Sequence, residues 1–559
     1  MNLKLFASLL AANSVAIASH HNVSSGLLGT QMTSTSLGNY SLPIPSLVTF
    51  GTGVIGGLFR PELHQDPAKA KIAVLVMHAE QDYTTFYPCS ELPVRGYTTL
   101  CLNNAQSKTG VMNDLDFETM MTDVGTGVEY LNNLPGIDKV VLWGHSGGGA
   151  MMAAYQNVAE NGASACNGTE KIYPCSSAVD DLPAADGVLL IDANFGLSTM
   201  TLLSVNPAIK NESTGAEINS ALNLYNPANG WTENGANYTS AFAHRFLGGI
   251  ASRWNGILSS AEERNRLIQA GNGDYTDDEG LVIPDANYIG FNNKLITQDT
   301  RYLAHTVYKW PLLHKGGRVS TQVVPSVRVA GAGIPSATDS FYDGALKTTI
   351  TRFLSTFAVR VDAKMFNMTA DNITGVDWTS SQTTPIGSVP GISKPLLTMG
   401  NTGHYEYLNA EKIYLAAKTE DKSIAFVEGA QHTINQGEEK WIRSNAEAKS
   451  GKFHADHVND ALTTEQIAHY AFAPGEQHAI SIDKTIYPAY NQYVARVEGS
   501  LDIYNEGIQK TIAHVYFYAN SSVSAADCIL DVSDVVDGYK VTPKGGEHNP
   551  RFITFNIEN

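Results

Sequence analysis

Short apolar runs that alternate with helical patterns are the feature that most limits the fold of this chain. Three apolar runs are typical of buried strands, because they are rich in β-formers and end at polar or glycine-bearing segments. They are KIAVLVMH (71–78), GYTTLCLN (96–103) and DGVLLIDANFG (186–196). FETMMTDVGTGVEYLNNL (117–134) and GGAMMAAYQNVA (148–159) have the composition and spacing of helices. Strands that alternate with helices predict the α/β class, with a mainly parallel sheet covered by helices on both faces.

The alternation stops at about residue 197 and resumes at KPLLTMGN, which the strand SIAFVEGAQH follows after a helical pattern. We therefore expect a core in two parts, 19–196 and 394–450, interrupted by a large inserted cap at 197–393. Within the cap, 240–271 predicts a pair of helices. After about residue 451 the strand-like segments predict a β-rich C-terminal appendage, 451–559, whose role the sequence does not indicate.

The N-terminus has the pattern of a secretory signal peptide at 1–18. Lys4 precedes an apolar run, and small residues at 16–18 resemble a cleavage site. No later stretch reaches the roughly 20 apolar residues that a membrane span needs. Glycosylation acceptors agree with a secreted, extracellular glycoprotein; they are Asn22, Asn39, Asn167, Asn211, Asn237, Asn367, Asn372 and Asn520.

Five cysteines in an oxidising compartment predict disulfide bonds between close neighbours in the sequence. We expect the pairs Cys89–Cys101 and Cys166–Cys175, which leaves Cys528 without a partner. None of the five lies in a motif typical of a catalytic cysteine.

The charge and the remaining motifs argue against nucleic acid, metals and cofactors. With 55 acidic and 37 basic residues, the net charge of −18 repels nucleic acid and anionic membranes. GTGVIGG (51–57) fits an early hairpin better than a dinucleotide-binding turn, because no helix pattern follows it. The acidic residues of 274–279 fit a solvated turn better than a calcium site. His454 and His457 fit a surface pair better than a metal site.

The stretch VVLWGHSGGGA (140–150) matches Gly-x-Ser-x-Gly at Ser146. The strand-like KVVLW precedes the serine and the helix-like GGAMMAAY follows it, which is the context that gives this motif its meaning. Glycines on both sides allow a strained turn that exposes the hydroxyl, and the N–H of Gly147 then lies at a helix N-terminus where it can stabilise an oxyanion. Ser146 is therefore the candidate nucleophile.

A serine hydroxyl needs a base. In this architecture the base should follow the last core strand. His432, in AFVEGAQHTINQ, occupies that place after a glycine-bearing turn.

From VLVMHAEQDY through GHSGGG to EGAQH, the chain resembles the α/β-hydrolase fold superfamily, in the manner of secreted serine esterases and lipases. The resemblance implies an acid after the strand before the histidine strand, but Gly403 stands at the matching position. Some branches place the acid one strand earlier, which here is Asp192. We take Asp192 as the first candidate to orient His432, with Glu411 and Glu406 as alternatives.

The same resemblance places a second oxyanion donor in the loop after VLVMH. We expect this donor to be the backbone N–H of Ala79 or Glu80, beside that of Gly147. The usual glycines of that loop are missing, which suggests a different loop path.

These residues predict a secreted serine hydrolase that cleaves a small-molecule carboxylic ester through an acyl-enzyme on Ser146, with no cofactor. An amidase or peptidase would use the same triad, and a lyase or cyclase is a further possibility. A non-catalytic binding protein with a hydrolase fold is the alternative outside enzymes.

Overall fold

The computed structural model describes most of the chain up to His432 in full. The predicted signal peptide, Cys528, and the predicted glycosylation acceptors Asn22, Asn39 and Asn520 lie outside the described residues, as do His454 and His457. Beyond residue 465 only the backbone of strands is described. The fully described ranges are 45–51, 53–61, 67–108, 112–289, 292–314, 317–331 and 340–432.

The strands are numbered in chain order. They are β1 (Ser46–Thr49), β2 (Ile55–Phe59), β3 (Ile72–Val76), β4 (Thr98–Asn103), β5 (Lys139–His145), β6 (Gly187–Ile191), β7 (Trp231–Thr232), β8 (Gly235–Ala236), β9 (Gly280–Ile283), β10 (His305–Leu313), β11 (Val319–Pro325), β12 (Leu346–Thr349), β13 (Arg360–Val361), β14 (Asn367–Met368), β15 (Ile373–Thr374), β16 (Val376–Asp377), β17 (Leu396–Asn401), β18 (Lys422–Val427), β19 (Gln466–Ala473), β20 (Glu476–Thr485), β21 (Ala495–Asn505), β22 (Ile508–Ala519), β23 (Ile529–Ser533), β24 (Lys540–Pro543) and β25 (Phe555–Glu558).

The helices are also numbered in chain order. They are α1 (Pro67–Ala70), α2 (Tyr87–Val94), α3 (Phe117–Asn132), α4 (Gly147–Asn161), α5 (Leu197–Ser204), α6 (Ser240–Gln269), α7 (Ile350–Arg352), α8 (Pro385–Ser388) and α9 (Leu408–Ala416). A π-helical turn covers Phe353–Phe357, and short 3₁₀ turns cover Ala163–Ala165, Ser177–Val179, Pro227–Asn229, Val389–Gly391 and Tyr405–Tyr407.

A ten-stranded sheet forms the centre, in the order β1-β2-β4-β3-β5-β6-β17-β18-β10-β11. The strands from β4 to β10 in this order pair in parallel, whereas β1, β2 and β11 are antiparallel to their neighbours. The hairpin of β1 and β2 confirms the prediction for 51–57. In a parallel sheet the carboxyl ends of the strands meet at one edge, so the loops after β3, β5, β6, β17 and β18 lie close together.

Both faces of this sheet are covered, as the α/β pattern predicted. Ala73 and Leu75 of β3 belong to a large core together with apolar side chains of α3 and α4. The alternate residues Val74 and Val76 belong to a smaller core that includes Cys89 of α2. Side chains of a strand point alternately to its two faces, so these two cores lie on opposite sides of the sheet.

Helix α3 shows how the sequence pattern forms such an element. Asp116 caps its N-terminus by accepting hydrogen bonds from the backbone N–H groups of Glu118 and Thr119, both at 3.2 Å. Its apolar residues recur at helical spacing and are buried on the sheet; they are Phe117, Met120, Met121, Val124, Val128 and Leu131.

The block at 197–393 departs from the expectation of an inserted cap in two ways. Its strand β10 pairs in parallel with β18 and in antiparallel with β11, so this block extends the central sheet by two strands. The predicted pair of helices at 240–271 is wrong, because the segment forms one continuous helix, α6. Gly248 and Gly249 lie within α6 without breaking it, and the buried Trp254 anchors it through a 2.7 Å hydrogen bond from Nε1 to the Val359 carbonyl.

The C-terminal strands form a five-stranded antiparallel sheet in the order β19-β20-β21-β22-β23 and a two-stranded pair, β24 and β25.

Both predicted disulfide bonds are present. Cys89–Cys101 joins α2 to β4 with the Cα atoms 6.0 Å apart. Cys166–Cys175 closes a loop after α4 with the Cα atoms 5.5 Å apart.

Two surface features of the described residues bear on the prediction that the protein is secreted. The five predicted glycosylation acceptors in this part of the chain are exposed or partly exposed; they are Asn167, Asn211, Asn237, Asn367 and Asn372. None of the described helices combines the length and apolar character that crossing a bilayer requires.

Candidate active site

Ser146 occupies a sharp turn between β5 and α4. Its backbone has φ 54° and ψ −126°, a region that residues with a side chain rarely adopt. The turn is so tight that a Cβ atom on Gly144 would lie 2.6 Å from the Gly148 carbonyl oxygen. Glycine at 144 is therefore required for the strand to pass this close to the helix, and the partly exposed Ser146 projects from the turn.

Three side chains from three loops meet at this turn. His432 Nε2 lies 2.8 Å from Ser146 Oγ, and His432 Nδ1 lies 2.7 Å from Asp192 Oδ2. Asp192 follows β6 and His432 follows β18, so the structure brings together three of the residues that the sequence singled out. Nε2 accepts from the serine hydroxyl when Nδ1 carries the proton and donates it to the carboxylate.

Asp192 is fully buried and is oriented by its surroundings. Its Oδ1 accepts a 2.9 Å hydrogen bond from the backbone N–H of Asn401. The side chain of Asn401 donates in turn to the Gln431 carbonyl at 3.0 Å, next to His432. Burial raises the pKa of Asp192 and lowers the pKa of His432, while the Asn401 N–H favours the ionised carboxylate. Burial thus keeps the imidazole neutral and able to accept a proton.

The close approach of two loops explains why Gly403 occupies the expected acid position. A Cβ atom on Gly403 would lie 2.6 Å from the Ala430 carbonyl oxygen, and the Gly403 N–H donates to that oxygen at 2.8 Å. No side chain fits between this loop and the turn that carries His432.

Of the two alternative acids, the structure brings only one to His432. Glu406 Oε2 lies 3.1 Å from His432 Nδ1. Glu411 is wrong as an alternative, because its carboxylate accepts hydrogen bonds from Val307 N, Tyr308 N and Trp310 Nε1 at 2.7–3.0 Å. Glu411 instead anchors the start of β10 to α9.

The strand order and the position of the serine decide the fold. Eight strands follow one another as β1-β2-β4-β3-β5-β6-β17-β18, with the serine turn after β5 and the histidine after the eighth strand. The chain has the α/β-hydrolase fold. The turn at Ser146 has the geometry of the strand–turn–helix elbow of that fold.

Comparisons with known proteins agree with this assignment but add no argument to it. Neither the family models nor the curated proteins searched contain a match. Solved structures with similarity include a soluble variant of monoglyceride lipase from Saccharomyces cerevisiae, at 12% identity over 74% of this chain and 96% of that one, with a TM-score of 0.32. Brefeldin A esterase, a bacterial homologue of human hormone sensitive lipase, is 11% identical over 78% and 81%, with a TM-score of 0.33. The siderophore hydrolase EstB from Aspergillus fumigatus is 12% identical over 74% and 99%, with a TM-score of 0.31. Because these scores are low, the assignment rests on the strand order and the elbow.

The imidazole of His432 lies between two other imidazoles. The ring centroids of His145 and His404 are 4.7 and 4.6 Å from that of His432. His145 Nε2 also lies 2.5 Å from the His432 carbonyl oxygen, which can only accept, so Nε2 donates. The Tyr83 hydroxyl lies 2.6 Å from His145 Nδ1 and donates to it. Burial lowers the pKa of His145 and of His404, so both rings stay neutral beside His432.

The loop after β3 packs directly on the elbow, as the predicted oxyanion site requires. A Cβ atom on Gly148 would lie 2.5 Å from the Met77 carbonyl oxygen. Glu80 N donates to His78 Nδ1 at 3.0 Å, so this N–H is already engaged and Ala79 N is the better second donor. Gly147 is the first residue of α4, where the N–H groups have no partner within the helix.

Glu80 places an acidic side chain beside the elbow. Its Oε2 would lie 3.5 Å from a Cβ atom on Gly147, and its Oε1 accepts a hydrogen bond from the Tyr288 hydroxyl. Burial raises the pKa of Glu80 to about 7, although Tyr288 and Lys108 favour its ionised form. Around neutral pH this carboxyl therefore changes its charge next to the Ser146 turn.

Four side chains at the site have the chemistry of metal ligands. The ligand atoms of Asp192, His404, Glu406 and His432 lie within 4.8 Å of one another. A metal ion there would have to displace the proton that joins His432 Nδ1 to Asp192 Oδ2. Because that hydrogen bond is short and buried, we interpret the cluster as a proton-sharing group.

Sequence reasoning missed the roles of Tyr83, His145, His404 and Tyr288. Tyr83 lies in HAEQDY and His145 in GHSGG, so both were within stretches already singled out. Tyr288 comes from the block at 197–393, and no local pattern connects it to Glu80.

Proposed function

We propose that this chain is a secreted serine hydrolase that cleaves a small-molecule carboxylic ester through an acyl-enzyme on Ser146. The observation that supports it most directly is the continuous line of contacts from Ser146 Oγ to His432 at 2.8 Å and from His432 to Asp192 at 2.7 Å. Secretion rests on the N-terminal pattern and agrees with the accessible glycosylation acceptors and the two disulfide bonds.

The geometry supports a two-step reaction. Ser146 Oγ attacks the acyl carbonyl while its proton passes to His432 Nε2, and Asp192 stabilises the imidazolium through Nδ1. The N–H groups of Gly147 and Ala79 receive the oxyanion. His432 then gives the proton to the leaving alkoxide, which departs as the alcohol. Water then attacks the acyl carbonyl while its proton passes to His432 Nε2, and His432 returns this proton to Ser146 Oγ as the bond between Oγ and the acyl carbon breaks and the acid leaves.

Ester cleavage makes a smaller chemical demand on this site than amide cleavage does. An alkoxide leaves a tetrahedral intermediate more easily than an amine anion, so the ester makes less demand on the proton held at His432 Nε2. A matched pair of substrates with one acyl group, a p-nitrophenyl ester and a p-nitroanilide, measures the preference. Faster turnover of the anilide would assign the triad to an amidase or peptidase instead.

Labelling with a fluorophosphonate probe tests the nucleophile. We expect the purified protein to label, Ser146→Ala to lose labelling, and Ser164→Ala to label like the parent chain, because Ser164 is exposed on the loop after α4. A folded parent chain that does not label would contradict the hydrolase function and favour a binding protein with this fold.

A further inference from the structure

Two carboxylates, not one, face the same nitrogen of His432. Asp192 Oδ2 lies 2.7 Å from Nδ1, and Glu406 Oε2 lies 3.1 Å from it. The neutral imidazole carries a single proton on Nδ1, which both oxygens are close enough to accept. A triad needs only one carboxylate, so Glu406 is a second carboxylate whose role the proposed mechanism does not account for.

Both carboxylates are removed from water. Asp192 is 0% and Glu406 is 1% exposed. Within the described part of the chain, Glu406 Oε2 makes no regular hydrogen bond and relies on its contact with His432 Nδ1. A buried carboxylate without donors is costly in its charged form, and two such charges side by side cannot both persist.

The surroundings decide which of the two carries a proton. Asp192 receives the Asn401 N–H as well as the His432 proton, so its charge is compensated by two donors. Burial and the charge of Asp192 both raise the pKa of Glu406. The charge of Asp192 is therefore the better compensated, and we expect Asp192 to be the ionised member of the pair while Glu406 holds its single proton. The titratable groups that face Glu406 are Asp192, His432, His404, Glu80, Tyr83 and Tyr405.

The position of Glu406 is fixed by the turn that carries it. The neighbouring tyrosines bind the 197–393 block on either side of Glu406: the Tyr405 hydroxyl donates to Asn293 Oδ1, and the Tyr407 hydroxyl donates to the Val324 carbonyl. His404 Nδ1 lies 3.4 Å from the Glu406 N–H and 4.0 Å from its Oε2. These contacts on both sides fix the backbone of the turn and so keep the Glu406 side chain next to His432.

We propose that Asp192 and Glu406 act as one acid that holds a single proton, so that Glu406 is a positioning residue able to take over the Nδ1–H of His432. When Asp192 is present, Glu406 is neutral and adds no second charge. When the Asp192 charge is removed, Glu406 releases the shared proton and orients the imidazole itself. This inference rests on the proposed function of Ser146 and His432.

The activity test compares Asp192→Asn, Glu406→Gln and the double variant, with Glu428→Gln as the control. Glu428 lies at the end of β18, where it pairs with His314. The readout is the rate constant of fluorophosphonate labelling between pH 5 and pH 9. We expect Glu406→Gln to lose about 3-fold, Asp192→Asn about 10- to 100-fold, and the double variant more than about 1,000-fold, beyond the product of the single losses.

The pH profile separates positioning from a merely structural role. In Asp192→Asn the labelling rate should rise with pH as Glu406 loses its proton, and the double variant should lack this rise. If Asp192→Asn is already as slow as the double variant, Glu406 does not take over and the inference is wrong. Asp192→Ala serves the same comparison if the Asn variant does not fold.

A second measurement does not depend on hydrolysis. One-dimensional proton NMR detects the hydrogen-bonded Nδ1–H of His432 far downfield. We expect this resonance in the parent chain and in each single variant, and its loss in the double variant; loss already in Asp192→Asn overturns the inference. A parent chain that shows the resonance pattern but does not label would contradict the hydrolase function while leaving the carboxylate pair supported.

Discussion

His145, which precedes Ser146, holds His432 by its backbone: Nε2 of His145 donates to the carbonyl oxygen of His432 at 2.5 Å. Tyr83 fixes the direction of this bond, because its hydroxyl donates to His145 Nδ1 at 2.6 Å. The elbow and the turn after β18 are thereby joined through the buried side chain of His145.

Loss of this bond should reduce activity without unfolding the chain. In His145→Phe the ring is retained but both hydrogen bonds are lost, so we expect kcat/KM for an ester to fall about 10- to 100-fold. His145→Gln, whose Nε2 can still donate to the His432 carbonyl, should recover part of the loss. Tyr83→Phe should cost only a few-fold. Equal activity of His145→Phe and the parent chain would show that the His432 turn does not need this bond.

The packing of the elbow on the β3 loop predicts a steric effect at Gly148. A methyl group there would lie 2.5 Å from the Met77 carbonyl oxygen. We expect Gly148→Ala to push the Ala79 N–H away from Gly147 and to reduce labelling by about 100-fold, with a loss of about 1–3 kcal/mol in the free energy of unfolding. Labelling kinetics and denaturant unfolding measure the two effects.

Gly256 provides the matched control, because it is an exposed helical glycine of α6 with no atom within 4 Å of its would-be Cβ atom. Gly256→Ala should leave labelling unchanged and stabilise the chain by up to about 1 kcal/mol. Normal labelling of Gly148→Ala would remove the β3 loop from the oxyanion site.

Glu80 predicts a pH dependence of stability. Burial raises its pKa in the folded chain to about 7 from the ordinary value of 4.5. The folded state therefore keeps a proton that the unfolded state has released, so the contribution to stability is full below pH 4.5 and is lost as the pH rises towards 7. The loss amounts to at most about 3 kcal/mol.

The measurement is the free energy of unfolding of Glu80→Gln against the parent chain between pH 4.5 and pH 8. The parent chain should lose stability relative to the variant over this range, and the difference should level off above pH 7. Parallel curves would mean that Glu80 ionises normally in the folded chain.

Glu411 should behave as a structural residue, in contrast to Glu406. Its carboxylate binds two backbone N–H groups of β10 and the indole N–H of Trp310. Glu411→Gln presents an amide N–H to one of these donors, so we expect a loss of about 2–4 kcal/mol in the free energy of unfolding. The folded fraction should label at the parental rate. Glu420→Gln, at an exposed position nearby, is the control, and a selective loss of labelling in Glu411→Gln would contradict the structural role.

The parts of this molecule that depend on local sequence were the ones that could be predicted. The elbow at Ser146 needs a strand, a tight turn and a helix in succession, and all three leave a contiguous pattern. The same holds for α3 and for the short-range disulfide bonds, whose partners lie close in the chain.

The remaining features depend on contacts between distant segments. The sequence offered Asp192, Glu406 and Glu411 as acids, but only the arrival of three loops at one point shows that two of them reach His432 and the third binds β10. Gly403 could be noticed as an anomaly, whereas its cause, the Ala430 carbonyl, lies 27 positions away. The sequence predicts 197–393 as a single inserted unit, because β10 and β11 lie far along the chain from most strands of the sheet that they join.

The pairing of β10 with β18 has a consequence for how this protein can be altered. Leu312 and Leu313 of β10 lie opposite Phe426 and Val427, the last residues of the strand that leads to His432. Removal of the 197–393 block would take this neighbour away from β18 and leave unpaired backbone groups close to His432, which favours edge-to-edge aggregation. Exchange of the 197–393 block for a different segment would therefore have to keep 305–325 in place, so that the exchangeable region lies outside β10 and β11.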